Sequence, residues 1–155
     1  MSTSRPPGEG SNGGALELHL PVARTSIERA REAMLAHLGA ATLPPSVAFD
    51  LELVLEEVLM NIVLHAHADP TGRAVHVTVR RGPDEVELRI EDDGVPFDPT
   101  TAPVRPPAAT LDEAVPGGLG LPLLRRRARR MEYARVGGRN VLTVAVGLAP
   151  RQSAS

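Results

Sequence analysis

An α+β two-layer sandwich, with helices on one face of a mixed sheet, is the fold class this sequence predicts. Three observations lead there. Short segments alternate apolar and polar residues, which is the strand period, and stand apart from segments of helical period. Their order along the chain is β-α-α-β-β-loop-α-β-β. The chain has 155 residues, 42% of them hydrophobic, which fits one domain with a real core. Elements with one apolar face must bury it against another layer.

The elements follow in order. Residues 1–14 are mostly Ser, Pro and Gly, with almost nothing to bury, and read as a disordered tail. Residues 15–20 alternate Leu16, Leu18 and Leu20 with Glu17 and His19, a strand. Residues 24–40 carry Ile27, Ala30, Met34, Leu35 and Leu38 at helical spacing, with Thr25 or Ser26 as the N-cap and Gly39 near the end. Pro44 and Pro45 open a longer helix, running to about His67. The turn Asp69-Pro70-Thr71-Gly72 stops it. Residues 74–80 and 85–91 alternate as strands, joined as a hairpin by Arg81-Gly82-Pro83-Asp84. Residues 94–118 hold six prolines and no sustained period, so this long loop is functional or disordered. A helix is expected from near Gly120 to about Met131. Residues 132–136 and 140–147 form a last hairpin turning at Gly137-Gly138. The folded domain is expected over 15–148, with 149–155 as a tail.

Composition removes several function classes. Aromatics make up 2%, so Phe49, Phe97 and Tyr133 alone could stack on bases. The seventeen basic residues are all Arg and face nineteen acids, a net charge of -2. Bulk attraction to nucleic acid or to an anionic membrane is not expected. Without Cys there is no disulfide scaffold and no thiolate metal site. No run of about 18 uncharged apolar residues exists, and the N-terminus lacks the layout of a secretory leader. A cytoplasmic protein is expected.

Three constellations carry chemistry. The long helix is apolar nearly all round, yet Glu57 and Asn61 sit in its middle at i and i+4, on one face. Burying both is costly unless something pairs them, and a solvated stripe or a bond between the two is the plainer alternative. The helix alone does not choose. Glu56 has no such partner, and His65 extends the same face by one turn. Next, Ile90-Glu91-Asp92-Asp93-Gly94 ends a strand. Acids before Gly are common turn chemistry, but one carboxylate aimed into a pocket would be functional, with Gly94 admitting a ligand close to the backbone. Third, Pro116-Gly117-Gly118-Leu119-Gly120-Leu121 opens a helix. Free amides at such a helix start suit phosphate, whereas by itself the segment reads as a hinge.

In this order the three resemble the N, G1 and G2 boxes of the Bergerat ATP-binding fold, the superfamily of gyrase, MutL proteins, histidine kinases and heat-shock chaperone ATPases. The nearest likeness is to small bacterial anti-sigma factors that act as serine/threonine kinases. The N box is similar to Glu57-x-x-x-Asn61-x-x-x-His65-Ala66, the G1 box to residues 92–99 and the G2 box to residues 117–121. The closing residues 138–143 resemble the branch too.

The resemblance implies the following roles. Asp92 accepts a hydrogen bond from the adenine amino group, with Thr143 on the neighbouring strand assisting. Asn61 gives an amide oxygen to Mg²⁺. Glu57 orients or deprotonates the attacking hydroxyl. Gly94 lets the backbone approach, and Gly118 and Gly120 offer amides to phosphate. The proline-rich loop is the ATP lid, with Arg105 its one cation for the γ-phosphate. Pro96 stands where the wider superfamily often has a second Gly, and removes an amide there. The implied partners are a sigma factor, a STAS-domain anti-anti-sigma protein that receives phosphate, and a second copy paired near residues 16–20. No direct nucleic acid or membrane partner is implied. A non-catalytic ATP-binding module acting by sequestration is the alternative. A stray histidine-kinase catalytic domain is disfavoured, since no phosphoacceptor helix pair precedes residue 15. The cluster Arg125, Arg126, Arg127, Arg129 and Arg130 reads as a solvated face or as a docking surface for an acidic partner.

Overall fold

The computed structural model describes residues 14–102 and 120–150. Strand β1 (Leu16–Pro21) leads to helix α1 (Arg24–Leu38), a 3-10 turn (Ala40–Thr42) and helix α2 (Pro45–His65). Strands β2 (Ala74–Arg81) and β3 (Glu85–Asp92) follow, then helix α3 (Gly120–Arg127) and strands β4 (Arg130–Val136) and β5 (Arg139–Gly147). The five strands lie in the order β1-β2-β3-β5-β4.

The sheet is antiparallel throughout, not mixed as the sequence suggests. The reason is topological. Two helices between β1 and β2 return the chain to the end it left, so β2 runs back along β1. The single helix between β3 and β4 gives those two the same direction, but β5 inserts between them and pairs antiparallel with both. The hairpin that allows this turns on Gly137 and Gly138, at φ 58° and 76°. A two-residue turn with both φ positive matches the twist of its strands, which favours glycine at both positions.

Strand alternation sends Val75, Val77 and Val79 of β2, Val86, Leu88 and Ile90 of β3, and Leu142, Val144 and Val146 of β5 to the helix side. There they meet α2, whose Leu51, Val54, Leu55 and Leu59 are buried. The opposite face carries Glu17, His19, His76, Arg89 and Thr143.

Three local expectations change. Neither Thr25 nor Ser26 caps α1: the cap position is Ala23, with no side-chain bond, and Ser26 is buried inside the first turn. Helix α2 stops at His65, two residues short of the expected end, with the amide of Ala66 closing on Ile62. Helix α3 stops at Arg127 because Arg129 N donates to Ala145 O and Met131 pairs with Val144. Its expected last turn is spent on the ladder of β4.

Candidate functional site

A cavity of about 480 Å³ opens between the C-terminal half of α2, the end of β3 with the following loop, the start of α3, and β4 and β5. Ligand pockets of drug size run to roughly 300–1,000 Å³. Its walls are apolar, with Ile62, Ile90, Val95, Phe97, Leu121 and Leu142. Asn61, His65, Asp92 and Asn140 supply polar groups. Apolar walls with a few polar edges suit a flat heteroaromatic ring.

Asp92 is the last residue of β3 and faces inward by the same alternation that buries Ile90 and Leu88. It is 4% exposed. Its Oδ1 accepts from Gly94 N at 2.9 Å and from Asn140 Nδ2 at 3.0 Å. Among the described residues nothing donates to Oδ2. Without a described donor, this oxygen is an acceptor that a ligand in the cavity can use.

Asn61 lines the cavity, and no described residue bonds its amide. The bond between Glu57 and Asn61 that the sequence leaves open is absent among the described residues. Glu57 sits one turn earlier, half-buried, at the mouth of α3. Its Oε2 is buried with no partner among the described residues. Burial, and secondarily the neighbouring Glu56 carboxylate, push its acid group above the usual carboxylate range. A Cβ placed on Gly120 would stand 2.0 Å from Glu57 Cδ and from Oε2. Gly120 thus leaves room for the carboxylate of Glu57 to lie against the backbone where α3 begins.

Other predicted site residues fall differently. Gly94 does not line the cavity. A Cβ there would come within 2.5 Å of Ala66 Cβ and O, so its bareness serves the packing of the loop on the end of α2, reinforced by Val95 N donating to Ala66 O. Thr143 lies on the far face of the sheet, paired with Arg89 and Glu132. The residue beside Asp92 on β5 is Asn140. Gly118, Arg105 and most of the proline-rich loop lie outside the described residues. Among the described residues no group of three or more His, Cys, Asp or Glu is placed to hold a metal. The donors present fit a Mg²⁺ that takes Asn61 and keeps waters and phosphate oxygens, which is the habit of that ion.

The Arg cluster is mostly turned inward on the molecule. Arg125 donates to Pro99 O and Ala102 O, holding the loop after β3. Arg127 lies 3.5 Å from Asp50 of α2, and Arg130 pairs with Glu85 and Glu87. Arg126 and Arg129 are exposed, with Arg129 3.8 Å from Glu85.

Sequence reasoning missed two groups. Asn140 joins β5 to Asp92, Tyr133, Arg135 and the loop after β3. Its parity along β5, matching Leu142 and Val144, places it inward and Thr143 outward. His67 and Arg73 hold the two oxygens of Asp93 at 2.8 Å and 2.9 Å. The His67 bond above all holds the Asp93 carboxyl below its usual range. No local pattern marks that pair.

Comparison with known proteins agrees with this arrangement. Residues 20–146 match the model of the histidine kinase-like ATPase domain. The serine/threonine-protein kinase BtrW of Bordetella bronchiseptica is 43% identical over 102 residues, covering 66% of this chain and 72% of that protein. The RsbU and RsbW domains of Rv1364c from Mycobacterium tuberculosis share the fold at TM-score 0.59 and 15% identity, over 92% of this chain and 35% of that one. The SiaB–SiaC complex of Pseudomonas aeruginosa gives 0.54 and 22%, over 85% and 89%. A buried carboxylate in an apolar cavity, a glutamate against the start of a helix and a family model spanning the fold thus converge: the chain belongs to the histidine kinase-like ATPase domain family, in its anti-sigma-factor kinase type.

Proposed function

We infer that the protein is an ATP-dependent regulatory kinase. It moves the γ-phosphate of ATP to a Ser or Thr of a STAS-domain anti-anti-sigma protein, and it sequesters a sigma factor. The observation that carries the reading is Asp92, buried beside an apolar cavity with one oxygen that has no donor among the described residues. That oxygen suits the exocyclic amine of adenine. The kinship to a serine/threonine-protein kinase supports the transfer, and the kinship in fold to a protein crystallised with a partner supports regulation by binding.

The residues divide the work. Asp92 fixes the base. Asn61 would hold Mg²⁺, which when bound neutralises phosphate charge, and Gly118, Gly120 and Arg105 are the residues assigned to the phosphates. The incoming hydroxyl oxygen bonds to the γ-phosphorus as the bridging oxygen of ADP leaves, and Glu57 takes the hydroxyl proton. A base works best with its acidity near the operating pH, and burial moves Glu57 in that direction. A homodimer paired along the β1 side and a cytoplasmic site of action belong to the same proposal. No helix among the described residues is long and apolar enough to cross a membrane. Light scattering that reads only the monomer mass contradicts the dimer, and recovery in the membrane or secreted fraction contradicts the location.

Calorimetry with ATP, with and without Mg²⁺, tests the binding, and labelled ATP with a STAS-domain protein of the same genome tests the transfer. Heat that requires Mg²⁺, followed by label on the partner, supports the reading. Absence of heat from folded protein overturns it. Binding of ATP and a sigma factor without any transfer supports the sequestering module instead.

A further inference from the structure

Asn140 is 6% exposed, and its side chain makes five hydrogen bonds among the described residues. Its Nδ2 donates to Asp92 Oδ1 at 3.0 Å and to Val95 O at 2.9 Å. Its Oδ1 accepts from Arg135 Nη1 at 3.1 Å, from Phe97 N at 3.3 Å and from the Tyr133 hydroxyl. A primary amide has two N–H donors and one oxygen with two lone pairs, so both donors are used and three donors share the two lone pairs. Nothing is left for a ligand. One orientation alone fits. Turned over, the amide would set its NH₂ against the Arg135 guanidinium and its oxygen against the Asp92 carboxylate.

The consequence falls on Asp92. Its Oδ1 is held from two sides, by Asn140 and by Gly94 N. The carboxylate therefore does not turn or slide, and Oδ2, without a donor among the described residues, is the oxygen left for a ligand. That matters for which base it accepts. A 6-aminopurine offers an amine at the position that one fixed oxygen can reach. A 6-oxopurine offers a carbonyl there and its N–H one atom away, so a fixed oxygen meets an acceptor. A carboxylate free to shift accepts the N–H instead.

We propose that Asn140, braced by Tyr133 and Arg135, is a positioning residue for base selection: it locks Asp92 so that a 6-aminopurine nucleotide binds and a 6-oxopurine nucleotide is rejected. The inference rests on the nucleotide-site reading above. The brace also joins β4 and β5 to the loop after β3, since Arg135 Nη1 donates to Gly94 O at 2.8 Å. Asn140 thus ties selection to the geometry of that loop.

The test is calorimetry of ATP and of inosine triphosphate on the full chain, for wild type, Asn140→Ala and Tyr133→Phe, with melting curves alongside. Wild type prefers ATP by about tenfold or more, as expected for a hydrogen bond to a charged group set against its loss. Asn140→Ala lowers the preference to about one, by weakening ATP while inosine triphosphate holds or tightens. Tyr133→Phe, which removes one brace and keeps the ring, lowers it a few-fold. A purely structural role would weaken both nucleotides alike and keep the ratio. An unchanged ratio in folded Asn140→Ala overturns the inference. Should that variant lack a cooperative melt, an unchanged ratio in Tyr133→Phe does so. Wild type that binds both nucleotides equally overturns it as well and leaves the nucleotide site standing. Wild type that binds neither refutes the nucleotide site and the inference together.

Discussion

Adding one methyl group at Gly120 separates a glycine kept for flexibility from a glycine that leaves room for Glu57. A Cβ at this position would stand 2.0 Å from Glu57 Cδ and Oε2 and 2.4 Å from Cγ. Carbon atoms rest at roughly 3.5–4.0 Å, so three atoms overlap deeply. The two backbones are fixed, so relief must come from the Glu57 side chain swinging its carboxylate aside. Glu57 rises from a helix fixed by buried Val54 and Val58, and α3 is anchored by buried Leu121 and Leu124. Overpacking of this kind costs about 1–3 kcal/mol. The better helix propensity of Ala offsets at most about 1 kcal/mol. Gly120→Ala should therefore lower stability by about 1 kcal/mol, a fall in Tm of about 2–4 °C for a chain of this size. In a Glu57→Ala background the three clashing atoms are gone. There Gly120→Ala should be neutral or stabilising by up to about 1 kcal/mol. The coupling between the two changes is then the clash itself, about 1–3 kcal/mol. Urea unfolding of wild type, both single variants and the double variant measures it. An equal cost of Gly120→Ala in both backgrounds refutes the contact.

Three further outcomes follow from the same geometry. Asp92→Asn keeps the shape but sets an N–H₂ where the bare acceptor stood or breaks the bond from Asn140, so ATP should weaken by about tenfold or more in calorimetry while the melt stays cooperative. Thr143→Val, on the far face of the sheet, should leave ATP affinity within about twofold; a larger loss would return Thr143 to the site. Asp93 has its acidity shifted down, first by His67 and then by Arg73. A lowered carboxylate contributes stability that is present above its unfolded value of 3.8 and is lost as pH falls through its lower folded value. The acid limb of stability against pH should be shallower in Asp93→Asn than in wild type, and parallel limbs would contradict the pairing.

Much of this was legible in the sequence, and the failures have physical reasons. The order of elements follows from periods of two and 3.6, which short hairpins and a helix opened by Pro45 make plain. Sheet direction did not follow, because the place of β5 between β3 and β4 depends on packing across the sheet. Asp92 was legible through its likeness to the G1 box, and the structure adds the reason: β3 runs one residue further than expected and its alternation turns Asp92 inward. Thr143 was misplaced by applying a family pattern without that parity, under which Asn140 and not Thr143 faces inward with Leu142. Gly94 was credited to a ligand, whereas its bareness answers the approach of Ala66 from α2, a tertiary contact without sequence signal. The Arg cluster suggested a surface because its counter-charges, Asp50, Glu85 and Glu87, are far away in the chain.

The most direct test of the central claim is phosphate transfer by Glu57→Gln. Glutamine keeps the shape that lies against Gly120 but takes no proton. Loss of a general base typically lowers a rate by about 10²–10⁴. With labelled ATP, purified protein and a STAS-domain partner, the account predicts that Glu57→Gln binds Mg²⁺ and ATP as wild type does and transfers slower by that factor. Transfer at the wild-type rate, with equal nucleotide bound, would show that Glu57 is not the base and would contradict the account.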